Sequence, residues 1–426
     1  METISKNQIQ TVWQRACADG LIDTQDSAVI FLNLSVIQDR VSRIARSFPE
    51  DSLHAVAIKT NPLTSVLKSL NELGCGLEAA SMQEVHLAIH AGAEPEKIVF
   101  DSPAKTAGEI DELQTNHPGL RVNCDSLAEL QRFNKSKTGL KLGLRINPLI
   151  TSDSIGYMNV GGAKSKFGEP ISHRQPIVDA CLSWQDLDCL HIHIGSQFSD
   201  FQPTIDAVNS VTELAQEINQ QAGQQKIKVL NLGGGFPVNY KHDEDPFHIE
   251  PFVATLREKA AGAFSGEYKI LTEFGRYVHA NAGWCVSRIE YIKQTSSVTN
   301  LVTHVGADMF LRECYNPGDW HHEMFVMGAD GSVKAKAETL PFDVAGPLCF
   351  GGDFVRKQVS LQRPQVGDCL VIQDVGANTF SLWSRHCSRP FPKVVAYRCE
   401  GTDNPPCDLQ IAKKRETIQS ILNFWS

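Results

Sequence analysis

Between about residues 28 and 280 the chain repeats one pattern, a short apolar run followed by a helix-like amphipathic stretch. The runs read as strands at Ala55–Ile58, Gly76–Ala79, Ile98–Phe100, Arg121–Val122, Lys141–Ile146, Leu190–Ile194, Val229–Leu232 and Lys269–Thr272. Between them, segments such as Pro62–Leu73, Met82–Ala91, Ala107–Gln114, Leu127–Phe133 and Thr204–Gln221 read as amphipathic helices. Eight strands alternating with helices predict an α/β fold in which parallel strands close into a (β/α)8 TIM barrel. An open doubly wound sheet is the alternative, but no Gly-x-Gly-x-x-Gly turn follows an early strand.

After about residue 281 the texture changes. Val286–Lys293, Cys369–Gln373 and Lys393–Arg398 are β-rich and separated by Gly, Pro, Asn and Asp turns, which predicts a second, C-terminal all-β domain. A length of 426 residues, too great for one ordinary core, agrees with two domains. The net charge of -9 and the lack of a basic stripe argue against nucleic acid as a partner. No apolar run approaches the roughly 20 residues of a membrane span, and the polar start Met1-Glu-Thr-Ile-Ser-Lys-Asn is unlike a signal peptide. The 12 cysteines include no Cys-x-x-Cys pair, so reduced thiols and a cytoplasmic location are expected.

In a barrel, chemistry sits on the loops after the strands' C-terminal ends. Lys59 lies there, in His54-Ala-Val-Ala-Ile-Lys-Thr-Asn-Pro62, where a strand gives way to a turn. Enclosure by neighbouring backbone should desolvate its ammonium and lower its pKa, preparing the amine to form a Schiff base with a carbonyl. A lone strand-end lysine would simply snorkel to solvent, but other strand ends here also carry chemistry. His191 and His193 in Leu190-His-Ile-His-Ile-Gly-Ser196 share one face, and a histidine at the strand tip can lie flat on an aromatic ring. Gly233, Gly234 and Gly235 let backbone N–H groups approach an anion, or else simply make a tight turn. Thr272-Glu-Phe-Gly-Arg276 offers Arg276 to a phosphate and Glu273 to a protonated ring nitrogen, the bland alternative being an ion pair between them. A Schiff-base lysine, a basic aromatic ring and a phosphate together describe pyridoxal 5'-phosphate. His321-His322-Glu323 lacks the usual i, i+4 metal spacing and reads as surface histidines, with no metal.

With these residues assembled, the chain resembles the fold-type III pyridoxal-phosphate decarboxylases, the diaminopimelate and ornithine decarboxylase family, which shares the alanine-racemase-like fold. The resemblance spans roughly residues 28 to 395. It rests on Ala57-Ile-Lys-Thr-Asn61, Leu77-Glu-Ala-Ala-Ser81 with Glu84, Arg145-Ile-Asn-Pro148, Ser165-Lys-Phe-Gly168, His193-Ile-Gly-Ser196 and Gly233-Gly-Gly-Phe236. Glu273-Phe-Gly-Arg276, Gly346-Pro-Leu-Cys349 and Asp374-Val-Gly-Ala377 continue the family's order. The resemblance implies a barrel over residues 41–280 and a β-domain over 281–426 completed by residues 1–40. It also implies a homodimer with shared active sites. Lys59 is then the Schiff-base lysine, His193 stacks on the ring, and Glu273 pairs with the ring nitrogen and makes the ring an electron sink. Ser196, the glycines 233–235, Gly275, Arg276 and Asn378 belong to the cofactor site. Cys349, supplied by the partner subunit, reprotonates the product, while Arg312 and Phe350 bind the amino-acid substrate. A racemase of the same fold would carry an arginine where Glu273 stands, and a non-catalytic regulatory relative would have no reason to keep all these residues.

The chain departs from the family's pattern at three places. Phe350 replaces the acidic residue that follows the cysteine and helps hold a distal ammonium. Asn378 replaces a phosphate-binding tyrosine, and Phe274 replaces a proline.

Overall fold

The computed structural model describes residues 3–137, 139–334, 339–399 and 407–426. The chain divides into two compact units, one of Arg40–Val238 with Phe247–Tyr277, the other of Met1–Asp39 with Asn239–Pro246 and Val278–Ser426.

Among the described residues, eight strands of the first unit form one sheet: β1 (Leu53–Ala57), β2 (Gly76–Ala79), β3 (Ile98–Asp101), β4 (Arg121–Cys124), β5 (Lys141–Asn147), β6 (Leu187–His191), β7 (Val229–Asn231) and β8 (Lys269–Thr272), with a ninth, two-residue strand, Glu169–Pro170, paired to the end of β5. Every neighbouring pair is parallel, β8 returns to β1 through Leu271↔Leu53, and β4 pairs with β5 through Arg121↔Lys141. The sheet is therefore a closed barrel, and the open doubly wound alternative falls. Strand ends differ from the sequence reading by up to three residues, most at β6, where Leu187 pairs with Leu142 beside a bulge. Helix starts follow local chemistry. Ser81 accepts a hydrogen bond from the Glu84 N–H at 3.2 Å while Glu84 Oε2 accepts from Ala80 N–H at 2.7 Å, opening helix Met82–His90. The expected helix Leu127–Phe133 is only the turn Leu127–Leu130; a turn signal and two leucines are too little to propagate it.

Ala55, Val99, Cys189, Val229 and Leu271 pack together although they come from β1, β3, β6, β7 and β8, so they fill the barrel's interior. Successive strand side chains alternate between faces, so residues two further along point inward as well. On β3, β6 and β7 those residues are Asp101, His191 and Asn231, and just past the end of β8 stands Glu273. An apolar plug thus supports a polar layer towards the C-terminal mouth, all of it buried.

The second unit holds a six-stranded and a four-stranded sheet. Strand Ala28–Asn33 lies at the centre of the larger, antiparallel to Gly283–Arg288 and parallel to Lys393–Cys399. Phe31 stacks on Trp284 at 4.0 Å between ring centroids, which fixes this N-terminal strand in the all-β core. The single run expected over Val286–Lys293 is two strands, Gly283–Arg288 and Tyr291–Gln294. Cys399 and Cys407, directly paired across a hairpin, form a disulfide, which corrects the expectation of uniformly reduced thiols. Among the described residues no helix is long and apolar enough to cross a membrane.

Candidate active site

β1 ends at Ala57 and passes into a single 3-10 turn, Ile58–Thr60, closed by the Thr60 hydroxyl donating to Ala57 O at 2.7 Å. The turn aims Lys59 at β2, and its Nζ donates to Glu78 Oε2 at 2.5 Å. About half of the Lys59 side chain (52%) is exposed, so it is less enclosed than its strand-end position suggested. Its pKa is also not lowered. Burial pulls it down, but the Glu78 and Glu273 carboxylates outweigh burial and hold it above the ordinary lysine value. Burial pushes Glu78 up to about 7 against the pull of Lys59. The proton therefore stays on the amine, and Glu78 faces it as a carboxylate, an ion pair at the barrel mouth.

His193 follows β6 and accepts a hydrogen bond at Nδ1 from the Gly234 N–H at 3.2 Å. That contact leaves the ring proton on Nε2, and burial followed by the nearby Arg145 charge lowers its pKa to about 3. His193 is a neutral ring. The glycine run carries two separate constraints. Gly233 and Gly235 have φ of 68° and 99°, and a Cβ would sit 2.3 Å from Ile192 O and 2.1 Å from Gly195 O respectively. Glycine is needed there for backbone packing alone, whatever anion the N–H groups meet. Arg276 Nε donates to Ser196 Oγ at 3.3 Å, bringing two of the predicted phosphate ligands together. Gly275 packs so closely on the Lys59 turn that a Cβ would meet Thr60 Oγ1 at 2.8 Å.

Glu273 is buried and uses both oxygens. Oε1 accepts from Asn231 Nδ2 at 2.6 Å, and Oε2 lies 3.5 Å from His191 Nε2. Burial alone would raise its pKa, but His191, Lys59 and Asn231 hold it well below the usual carboxylate range. Sequence reasoning assigned no role to Glu78, Asp101, Arg145, His191 or Asn231. Their signal was present: each stands on an inward-facing strand position where apolar residues are the rule.

The donor set in this unit suits pyridoxal phosphate: an amine beside a carboxylate, a neutral flat ring, a buried anion, and an Arg–Ser pair beside glycine N–H groups. The remaining predicted residues lie in the other unit. Cys349 is exposed. The Phe350 ring stacks on Tyr315 at 5.3 Å, and the Arg312 guanidinium lies 4.8 Å over the Trp320 ring. Asn378 adopts the left-handed conformation, φ 56°. His322 is not a surface histidine. It is buried, with Nε2 2.8 Å from Glu313 Oε1 and Nδ1 2.7 Å from Gln373 O.

Residues 34–280 match the model of a family described as pyridoxal-dependent decarboxylase, pyridoxal binding domain. The diaminopimelate decarboxylase of Methanothermobacter thermautotrophicus is 28% identical over 426 residues, covering 96% of this chain and 93% of that protein. That of Aquifex aeolicus is 29% identical over 380 residues, covering 87% and 86%. The crystal structure of diaminopimelate decarboxylase from Helicobacter pylori complexed with L-lysine superposes with a TM-score of 0.82 at 25% identity, covering 96% of this chain and 99% of that one.

Proposed function

The chain belongs to the pyridoxal-dependent decarboxylase family, and from that premise we propose how its residues divide the work of removing the carboxylate of an amino acid. Pyridoxal phosphate, when bound, supplies the electron sink that accepts the pair left by departing carbon dioxide. Lys59 is the amine that holds the cofactor covalently, and Glu78 is the carboxylate that orients it. His193 offers an uncharged face to the ring. Ser196, the N–H groups of residues 233–235 and Arg276 take the phosphate, with Asn378 a further amide donor. Glu273 is the anion at the ring nitrogen. The observation that carries this reading is the pairing of Lys59 with Glu78 at 2.5 Å in the same barrel mouth as a buried, ionised Glu273. Carbon-dioxide release from a panel of L and D amino acids tests it, and purified protein supplied with pyridoxal phosphate that releases none would overturn it.

We assign the proton returned to the product to Cys349, carried across from a partner subunit. Mixing inactive Lys59→Ala with inactive Cys349→Ala protein then restores about a quarter of wild-type activity, because half the dimers are mixed and each has one intact site. No recovery after verified subunit exchange would place the whole site in one chain.

The substrate's distal end is the finer proposal. Where relatives hold an ammonium, Phe350 presents an aromatic wall backed by Tyr315. Of the three acids that could replace that contact, Glu313, Asp319 and Asp353, two are occupied. Asp353 accepts from Ala307 N–H and Leu348 N–H, both at 2.6 Å, and Glu313 is buried against His322. Arg385 is held by Glu416 at 2.5 and 2.8 Å, and Arg312, whose guanidinium lies over the Trp320 ring, is the cation assigned to a distal carboxylate or amide. Stranding an ammonium on that wall would cost a few kcal/mol, about 100-fold in kcat/KM. Lysine, ornithine and meso-diaminopimelate are therefore expected to be poor substrates, and Phe350→Glu should shift preference towards them. The relatives named above favour a second reading, diaminopimelate itself; efficient turnover of meso-diaminopimelate by the unmodified protein would establish it and sink the first.

A further inference from the structure

His191 ends β6 with a fully buried ring between two carboxylates, Glu273 Oε2 at 3.5 Å from Nε2 and Asp101 Oδ2 at 3.8 Å from Nδ1. Neither ring nitrogen makes a hydrogen bond of ordinary length among the described residues. A neutral imidazole would bury one bare acceptor against an anion, which is repulsive. An imidazolium directs one N–H at each carboxylate. Asp101 is in turn held by Arg145 Nη1 at 3.3 Å. The result is a line of alternating charge, Arg145, Asp101, His191, Glu273, drawn from β5, β3, β6 and the end of β8.

We propose that His191 is a positioning residue, an imidazolium clamped by Asp101 that keeps Glu273 anionic and aimed at the ring nitrogen of the cofactor. The inference rests on the functional reading above and adds to it a residue that never touches the cofactor. Asn231 works with it. Its Oδ1 accepts from Gly233 N–H at 3.0 Å, which turns its Nδ2 towards Glu273 Oε1, so both oxygens of the carboxylate are fixed from below.

The charges facing the imidazole agree. Burial lowers the His191 pKa, but Glu273 and Asp101 outweigh it, even against Arg145, and hold it above the ordinary histidine value. Arg145, His191 and Lys105 likewise hold Asp101 low against burial. Atoms of Asp101, His191 and Glu273 lie within 4.8 Å of one another, a spacing that could hold a metal ion. With Arg145, Lys105 and Lys59 already supplying positive charge around them, a proton serves there and a dication would be repelled.

The test compares apoprotein binding of pyridoxal phosphate with that of its 1-deaza analogue, in which CH replaces the ring nitrogen. The two ligands have the same shape, so a loss of packing weakens both alike, whereas loss of an ionised Glu273 weakens only the nitrogen ligand. Wild-type protein is expected to prefer pyridoxal phosphate by at least about tenfold, the worth of one charged hydrogen bond. In both His191→Gln and Asp101→Asn that preference should fall to about onefold. Nitrogen-15 NMR of the wild-type apoprotein should show both His191 nitrogens protonated at neutral pH. An unchanged preference in the variants, or a neutral His191 in the wild type, overturns the inference. Failure of the wild-type protein to bind pyridoxal phosphate at all would instead overturn the functional reading.

Discussion

Lys59→Ala is expected to lose at least about 10⁴-fold in decarboxylation rate, the scale on which removing a covalent nucleophile acts. Barrel and secondary structure should survive, because the half-exposed side chain packs no core and the 3-10 turn is closed by Thr60 rather than by the lysine. Cofactor should still bind weakly through its phosphate, without the absorbance near ~420 nm that a protonated Schiff base gives. The substitution has one structural consequence. Glu78 is fully buried and already pushed up to about 7, with Lys59 among the few groups opposing that shift. Without the ammonium, the carboxyl rises further and folds in its protonated form. A carboxyl raised in the folded state contributes stability at low pH that is lost as the pH climbs past the range of a free glutamate. The melting temperature of Lys59→Ala should therefore fall relative to wild type as the pH rises above about 7, where Glu78 of the wild type has ionised and that of the variant has not, measured as a paired thermal scan. Near wild-type turnover would remove Lys59 from its role, and with it the assignment of the site.

Glu273→Gln keeps the shape and takes away the charge. The rate is expected to fall by about 100-fold or more, the loss that accompanies one well-placed electrostatic group. The amide can still accept at one atom from Asn231, so cofactor should remain bound. The amide nitrogen, however, would face His191, two donors meeting at a position now 3.5 Å wide, and the imidazolium would lose one of its two anions. The His191 pKa should fall in this variant, which NMR titration would register independently of activity. An unchanged rate would mean that Glu273 is not the anion at the ring nitrogen.

Much of the fold was legible along the chain. Strand-length apolar runs alternating with amphipathic segments determine parallel pairing, because a helical crossover returns the next strand in the same direction. Eight such units determine a barrel, and barrel chemistry belongs at the strand ends where Lys59, His193, Glu273 and Arg276 stand. The glycines of 233–235 and the Ser81–Glu84 cap are equally local, since each answers a backbone demand within a few residues.

What the sequence could not supply is charge state, because charge depends on neighbours that arrive from elsewhere. Lys59 alone invited a lowered pKa; only the β1–β2 register, Ala57↔Glu78, places a carboxylate beside it and reverses the shift. His322 looked like solvent-facing polarity until a buried glutamate nine residues back and a carbonyl from a distant strand enclosed it. Cys399 and Cys407, unremarkable at eight residues apart, became a disulfide through antiparallel pairing. Asp101, His191 and Glu273 stand 90 and 82 residues apart in the chain, and only closure of the barrel brings them within 4.8 Å of one another. Periodicity in a sequence fixes which face a residue occupies. Lateral strand order decides what it meets there, and in a buried, low-dielectric interior those meetings set the protonation on which the chemistry depends.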